Sequence, residues 1–179
     1  MLRPEPHLYA ECCCAHSNEG HLHRHPSVWE GRGVHLAQLN VARLAHPLDH
    51  PNLEAFTSAL DAVNSVADEA PGFVWRLQEA ELGNATDIRP WGDDMIVNLS
   101  VWEDLAALES YVYGAAHAAV LKQRRMFFHR MERPSLVLWW VPEGHEPTLE
   151  EARERLERLE EIGPSPFAFT MRQSYPPAA

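Results

Sequence analysis

The chain is 179 residues long, with 45% hydrophobic residues and no apolar run near the roughly 20 residues that span a bilayer, so its length suits one globular domain with a self-sufficient core. Acidic side chains outnumber basic ones 26 to 15, a net charge of −11. Such a surface repels phosphate backbones and anionic lipid, which argues against nucleic acid and membrane surfaces as partners.

The segment 1–33 reads as a flexible Cys/His-rich stretch without strand or helix periodicity. It holds all three cysteines, Cys12, Cys13 and Cys14, and five of the eleven histidines. No cysteine follows Cys14, so no disulfide can brace the domain expected over 34–175. Thiolates and imidazoles suit soft transition metals, but three consecutive cysteines lack the spacing of a structural zinc site, leaving adventitious metal binding as the simpler expectation. The opening residues show no signal-peptide pattern, so the expected location is the cytoplasm.

From Val34 the pattern becomes regular. His35 to Ala42 alternates as a strand, with Ala37, Leu39 and Val41 on one face and Leu36, Gln38 and Asn40 on the other. Pro51 suits the first turn of a helix whose stripe is Leu53, Phe56, Leu60, Val63 and Val66, stopped by Pro71-Gly72. Phe73–Gln78 reads as a second strand. A loop from Gly83 to Asp94 leads to a third, Met95–Trp102. A helical stretch from Glu103 to about Phe128 follows, with Gly114 marking a break. Leu136–Val141 is a fourth, strongly apolar strand. Thr148 with Glu151 opens a last helix with the stripe Leu149, Ala152, Leu156, Leu159 and Ile162, ended by Gly163-Pro164. Pro166–Tyr175 is expected to add a short edge strand. The order βαββαβ is the split arrangement of the α+β ferredoxin-like fold, here with an additional C-terminal helix.

The distribution of polar residues on the strands carries the functional argument. Ala37, Leu39, Val41, Val97, Leu99 and Val101 suit a face covered by helices. The other face carries Leu36, Gln38, Asn40, Ile96, Asn98, Ser100 and Trp102, a mixture of amides, a hydroxyl and large apolar groups. Water-facing sheets seldom carry tryptophan, and plain cores seldom carry unpartnered amides. The mixture predicts a lined cavity, closed by the sheet of a second subunit about a twofold axis. The alternative is that these polar groups satisfy one another or water.

Several phrases, His35-Leu-Ala-Gln-Leu-Asn-Val-Ala42, Pro71-Gly-Phe-Val-Trp-Arg-Leu-Gln78, Asn98-Leu-Ser-Val-Trp-Glu103, Tyr113-x-x-x-His117 and Leu138-Trp-Trp-Val-Pro142, resemble the bacterial domain of unknown function 3291, within the dimeric α/β barrel superfamily. The resemblance runs from about Val34 to Thr170. It implies the ferredoxin-like fold and a homodimer, and no activity. The wider superfamily includes cofactor-free monooxygenases and haem-dependent enzymes, a range that forbids importing any one chemistry.

His117 is the sharpest chemical candidate. It lies among small residues, with Tyr113 four positions before it and Arg124 seven after, all on one helical face. It suits a general base, an axial haem ligand with Arg124 or Arg125 meeting a propionate, or a packing histidine hydrogen-bonded to Tyr113. Asn98 joins His117 as the expected catalytic pair. Ligand contacts are expected from Gln38, Asn40, Arg76 and Ser100. Trp102, Tyr113, Arg124 and Trp139 complete that set. Trp75 and Trp140 are further aromatic candidates, although Trp139 and Trp140 must point to opposite faces. The run Glu150–Glu161 is a solvated helix face. Nucleotide, hydrolase and metalloprotease motifs are lacking. The expected function is therefore a monooxygenase-like oxidoreductase acting on a small apolar or aromatic molecule, with or without haem. The alternative is a non-catalytic small-molecule or haem binding module.

Overall fold

The computed structural model describes residues 33–114 and 123–178. Four strands form one antiparallel sheet: β1 (Val34–Arg43), β2 (Phe73–Arg76), β3 (Met95–Trp102) and β4 (Leu136–Pro142). Their order, β2-β3-β1-β4, is the ferredoxin-like one, with β1 and β3 central. The β1–β3 register sets Leu36 opposite Trp102, Gln38 opposite Ser100, Asn40 opposite Asn98 and Ala42 opposite Ile96. Residues directly opposite point the same way, so the strand alternation read from sequence is the alternation of the sheet.

The helix after β1 is broken where the stripe predicts continuity. A 3-10 turn at Pro51–Leu53 leads into α1 (Glu54–Thr57), and α2 (Leu60–Asp68) follows. Between them Ala59 N bonds Phe56 O at 3.1 Å, a tightened turn that rotates the second segment. Leu53 and Phe56 are buried as the stripe requires, but Ala67 rather than Val66 is buried further on, and Val66 stays 43% exposed.

β2 is shorter than its alternation suggests, because its register slips between Phe73 and Trp75. Gly72, at φ 78°, makes the turn before it; a Cβ there would lie 2.5 Å from that of Ala107. α3 (Leu105–Val112) starts from Asp104, whose carboxylate accepts from Ala107 N at 2.8 Å. Residues 123–127 are again helical. The expected edge strand near the C-terminus is reduced to isolated bridges, Leu138–Phe169 and Ser165–Ala168. The C-terminal helix, Leu149–Ile162, is capped by Thr148, which accepts from Glu151 N at 3.1 Å. Its buried stripe is Ala152, Leu156 and Leu159, while Ile162 is exposed.

The aliphatic face is covered by a helix, as the sequence predicts, and the amide side also meets helices. The apolar face (Ala37, Leu39, Val41, Val97, Leu99, Val101) packs against the C-terminal helix and against Ala85, Ile88 and Trp91 of the long loop. The amide side lies toward the split-fold helices: Leu36, Trp102 and Leu138 pack with Leu108, Tyr111 and Val112 of α3. Both faces are thus packed in part within one chain, α3 meeting the amide side at its Trp102 end while Asn98 stays exposed. The C-terminal helix has a Leu/Ala stripe that matches a wholly aliphatic face. Among the described residues no helix is long and apolar enough to cross a membrane, and no group of three or more His, Cys, Asp or Glu is placed to hold a metal ion.

Candidate ligand-binding site on the amide side of the sheet

Two apolar clusters occupy the ends of the amide side. One contains Leu36, Trp102, Leu108, Leu138 and Phe169. The other contains Leu44, Leu53, Phe56 and Phe127, with Ile96 packed against it. Between them run two polar rows, Gln38–Ser100 and Asn40–Asn98. The flanking apolar rows, Leu36–Trp102 and Ala42–Ile96, are six residues apart along β1, roughly 20 Å at strand rise.

The row nearest Trp102 is linked by one chain of hydrogen bonds. Trp102 Nε1 donates to Ser100 Oγ at 3.0 Å, and Ser100 Oγ donates to Gln38 Oε1 at 2.8 Å. All three side chains are buried, so an unmade bond here would cost about 1–3 kcal/mol. Ser100 Oγ and Gln38 Oε1 are satisfied by these bonds, while Gln38 Nε2 has no partner among the described residues. The second row is open. Asn40 is half-buried and Asn98 exposed, and among the described residues neither side chain has a hydrogen-bond partner.

Trp102 is held from both sides. Phe73 meets it edge-on at 5.3 Å, and Tyr111 stacks on it at 5.0 Å. Burial pushes the Tyr111 phenol up to about 12, with nearby Arg76 pulling it down and Asp68 pushing it up. Tyr111 was not singled out from sequence; its spacing from Leu105 and Leu108, three residues at each step, was the signal for the buried face of α3.

Other expected site residues lie elsewhere. Arg76 shares the amide side but is fully engaged: its Nε and Nη2 donate to Asp68 at 2.7 and 3.1 Å, and its Nη1 to Gly83 O at 2.7 Å. It ties α2, β2 and the long loop together. Trp139 is buried on the opposite, apolar face, where its Nε1 donates to Glu151 at 2.8 Å. Strand alternation makes that separation unavoidable. Trp75 packs on that face too. Trp140 does lie on the amide side, at the β4 edge, and donates to Tyr175 O at 2.7 Å. Tyr113 is 71% exposed and Arg124 is exposed, so neither is buried against the amide side. His117 lies outside the described residues, as do Cys12, Cys13 and Cys14.

No curated protein matches the chain. Among solved structures it is similar to PA3566 from Pseudomonas aeruginosa (12% identity, TM-score 0.43), covering 64% of this chain and 98% of that one. It is similar also to NE2512, a protein of unknown function from Nitrosomonas europaea (14%, TM-score 0.41, 66% and 97% covered). A third is SnoaB, a cofactor-independent oxygenase from Streptomyces nogalater (16%, TM-score 0.38, 64% and 96% covered). At these scores the likenesses carry no statement about what this chain does. The family model described as domain of unknown function DUF3291 matches residues 35–179, nearly the whole described domain. The chain belongs to the DUF3291 family.

Proposed function

We propose that the protein binds a small apolar or aromatic molecule against the Asn40–Asn98 row and oxidises it as a monooxygenase-type oxidoreductase. The observation that supports this reading is the open carboxamide pair between two apolar clusters on the helix side of the sheet. Apolar walls hold a flat body, and a few fixed polar groups orient it.

The chemistry such a site suits needs no cofactor. An activated CH2 group gives a proton to a base, the carbanion passes an electron to O2, and a C–O bond forms between the resulting radicals. The hydroperoxide then loses water to leave a carbonyl, so that CH2 and O2 become C=O and H2O. Carboxamide N–H groups stabilise the anionic charge that develops before O2 reacts. Asn98 would supply that contact and His117 the base. Haem stays the variant of this reading that the sequence raised, since its expected ligand His117 lies outside the described residues.

A non-catalytic binding module is favoured by a separate observation. Tyr111, with its phenol up at about 12, is no base at neutral pH, and Arg76 is committed to Asp68. Oxygen uptake with a series of phenols and anthrones separates the two readings. Turnover that disappears in both Asn98→Ala and His117→Ala supports the enzyme. Saturable binding with no oxygen consumption supports the module, and no binding at all removes both. Self-association belongs to the same proposal, and sedimentation velocity reads it directly.

A further inference from the structure

We infer that the molecule bound on the amide side presents an oxygen acceptor, a carbonyl or a phenolate, to the Nε2 of Gln38; this rests on the ligand-binding reading above. The argument is one of hydrogen-bond direction. An indole N–H can only donate, so Ser100 Oγ must accept from Trp102, at 3.0 Å. Ser100 has one proton of its own, and its other contact is Gln38 Oε1, at 2.8 Å. That contact uses the amide oxygen and leaves the two N–H donors of Nε2 for what lies beyond.

The opposite orientation of the amide is disfavoured by the same chain. Turned over, Gln38 would donate to a hydroxyl that already accepts from Trp102, and the Ser100 proton would lose its acceptor. Trp102 cannot relieve the conflict by swinging away: it is 1% exposed and gripped by Phe73 and Tyr111. Among the described residues nothing accepts from Gln38 Nε2, and the amide nitrogen is not among the fully buried unpaired atoms, so its donors stay within reach of a ligand. A ligand oxygen would satisfy it; an amine or ammonium would set donor against donor. Asn40 and Asn98 are not locked in this way and can offer either end, so Gln38 sets the sense of recognition.

Chemical-shift titration of the 15N-labelled protein with acetophenone, ethylbenzene and benzylamine tests this. The three share a ring and differ in what they offer: an acceptor, nothing polar, and a cationic donor. Acetophenone is expected to bind about fivefold or more tighter than ethylbenzene, the worth of one made hydrogen bond, with benzylamine the weakest. Its complex should shift the Gln38 side-chain amide resonances, and Gln38→Met should abolish its advantage while leaving ethylbenzene unchanged. Should Gln38→Met fail to fold, Ser100→Ala frees the amide to rotate and should shrink the acetophenone-to-benzylamine ratio. Equal affinity for acetophenone and ethylbenzene in the unmodified protein overturns the inference while leaving the site intact, as does an acetophenone preference that survives both substitutions. If none of the three binds, the site reading fails and takes the inference with it.

Discussion

Trp102 at the end of β3 and Tyr111 on α3 lie nearly parallel, with ring centroids 5.0 Å apart and planes 27° from one another. This stack seats α3 on the amide side of the sheet and buries the phenol. Because Tyr111 has its folded-state pKa raised to about 12 from an ordinary value near 10, the folded protein holds the phenolic proton longer than the unfolded chain. Stability from this group is fully present below about pH 10 and is lost as pH rises from there toward 12. Urea unfolding at pH 8, 10 and 11 should show a midpoint that is flat and then falls, and the fall should be smaller in Tyr111→Phe. An equal fall in both proteins would detach the effect from this residue.

Arg76 is a bracket, and removing it should loosen three elements at once. Its partner Asp68 is 43% exposed, so solvent screens much of the ion pair and the bonds to Gly83 and Asp68 matter more than the charge. Arg76→Met is expected to cost about 1–2 kcal/mol by denaturant midpoint. Faster proteolysis between Leu77 and Asp94 should accompany it, and an unchanged cleavage pattern would speak against the bracket.

Glu151 anchors the C-terminal helix to the apolar face. One carboxylate oxygen accepts from the buried Trp139 indole at 2.8 Å, and the other lies 2.7 Å from His145 Nε2. Glu151→Ala leaves the indole N–H without an acceptor, for an expected loss of about 1–3 kcal/mol. Glu151→Gln keeps an acceptor for Trp139 and should lose clearly less; equal losses would show that the indole bond is not the source.

Leu156, 9% exposed, carries the same helix by packing alone. Leu156→Ala should destabilise by about 2–3 kcal/mol. Deleting the chain from Glu146 onward should uncover Ala37, Leu39, Val97 and Trp139 and raise binding of a hydrophobic dye sharply. A truncated protein that stays folded and silent to the dye would mean that something else covers that face.

Asn98 offers the opposite signature. It is exposed, and Asn98→Ala should change stability by less than about 0.5 kcal/mol. Affinity for an aromatic ligand should nevertheless fall several-fold. A stability loss with unchanged affinity would reassign Asn98 to the fold.

Much of this molecule was legible in its periodicities. The alternation of β1 and β3, the Thr148 cap and the separation of Trp139 from Trp140 follow from strand and helix geometry, which one sequence carries in full. The break at Ser58–Ala59 was not, because no proline or glycine marks it, and the rotation it introduces shows only where Ala67 replaces Val66 against the core. The site was half legible. Gln38, Ser100, Trp102 and the Asn40–Asn98 row share one face by strand parity, whereas helical spacing joins Tyr113 and Arg124 only to His117, and Trp139 points to the other face.

What the sequence determined by itself was which residues travel together, since side-chain parity along a strand is a local property of the backbone. What only the tertiary structure decided was which layer lies over each face. Both faces of this sheet are apolar enough to be buried, so the pattern could not rank them. The choice fell to a long-range fit: the Ala152–Leu156–Leu159 stripe settles on the aliphatic face, and α3 takes the face where Trp102 and Tyr111 stack.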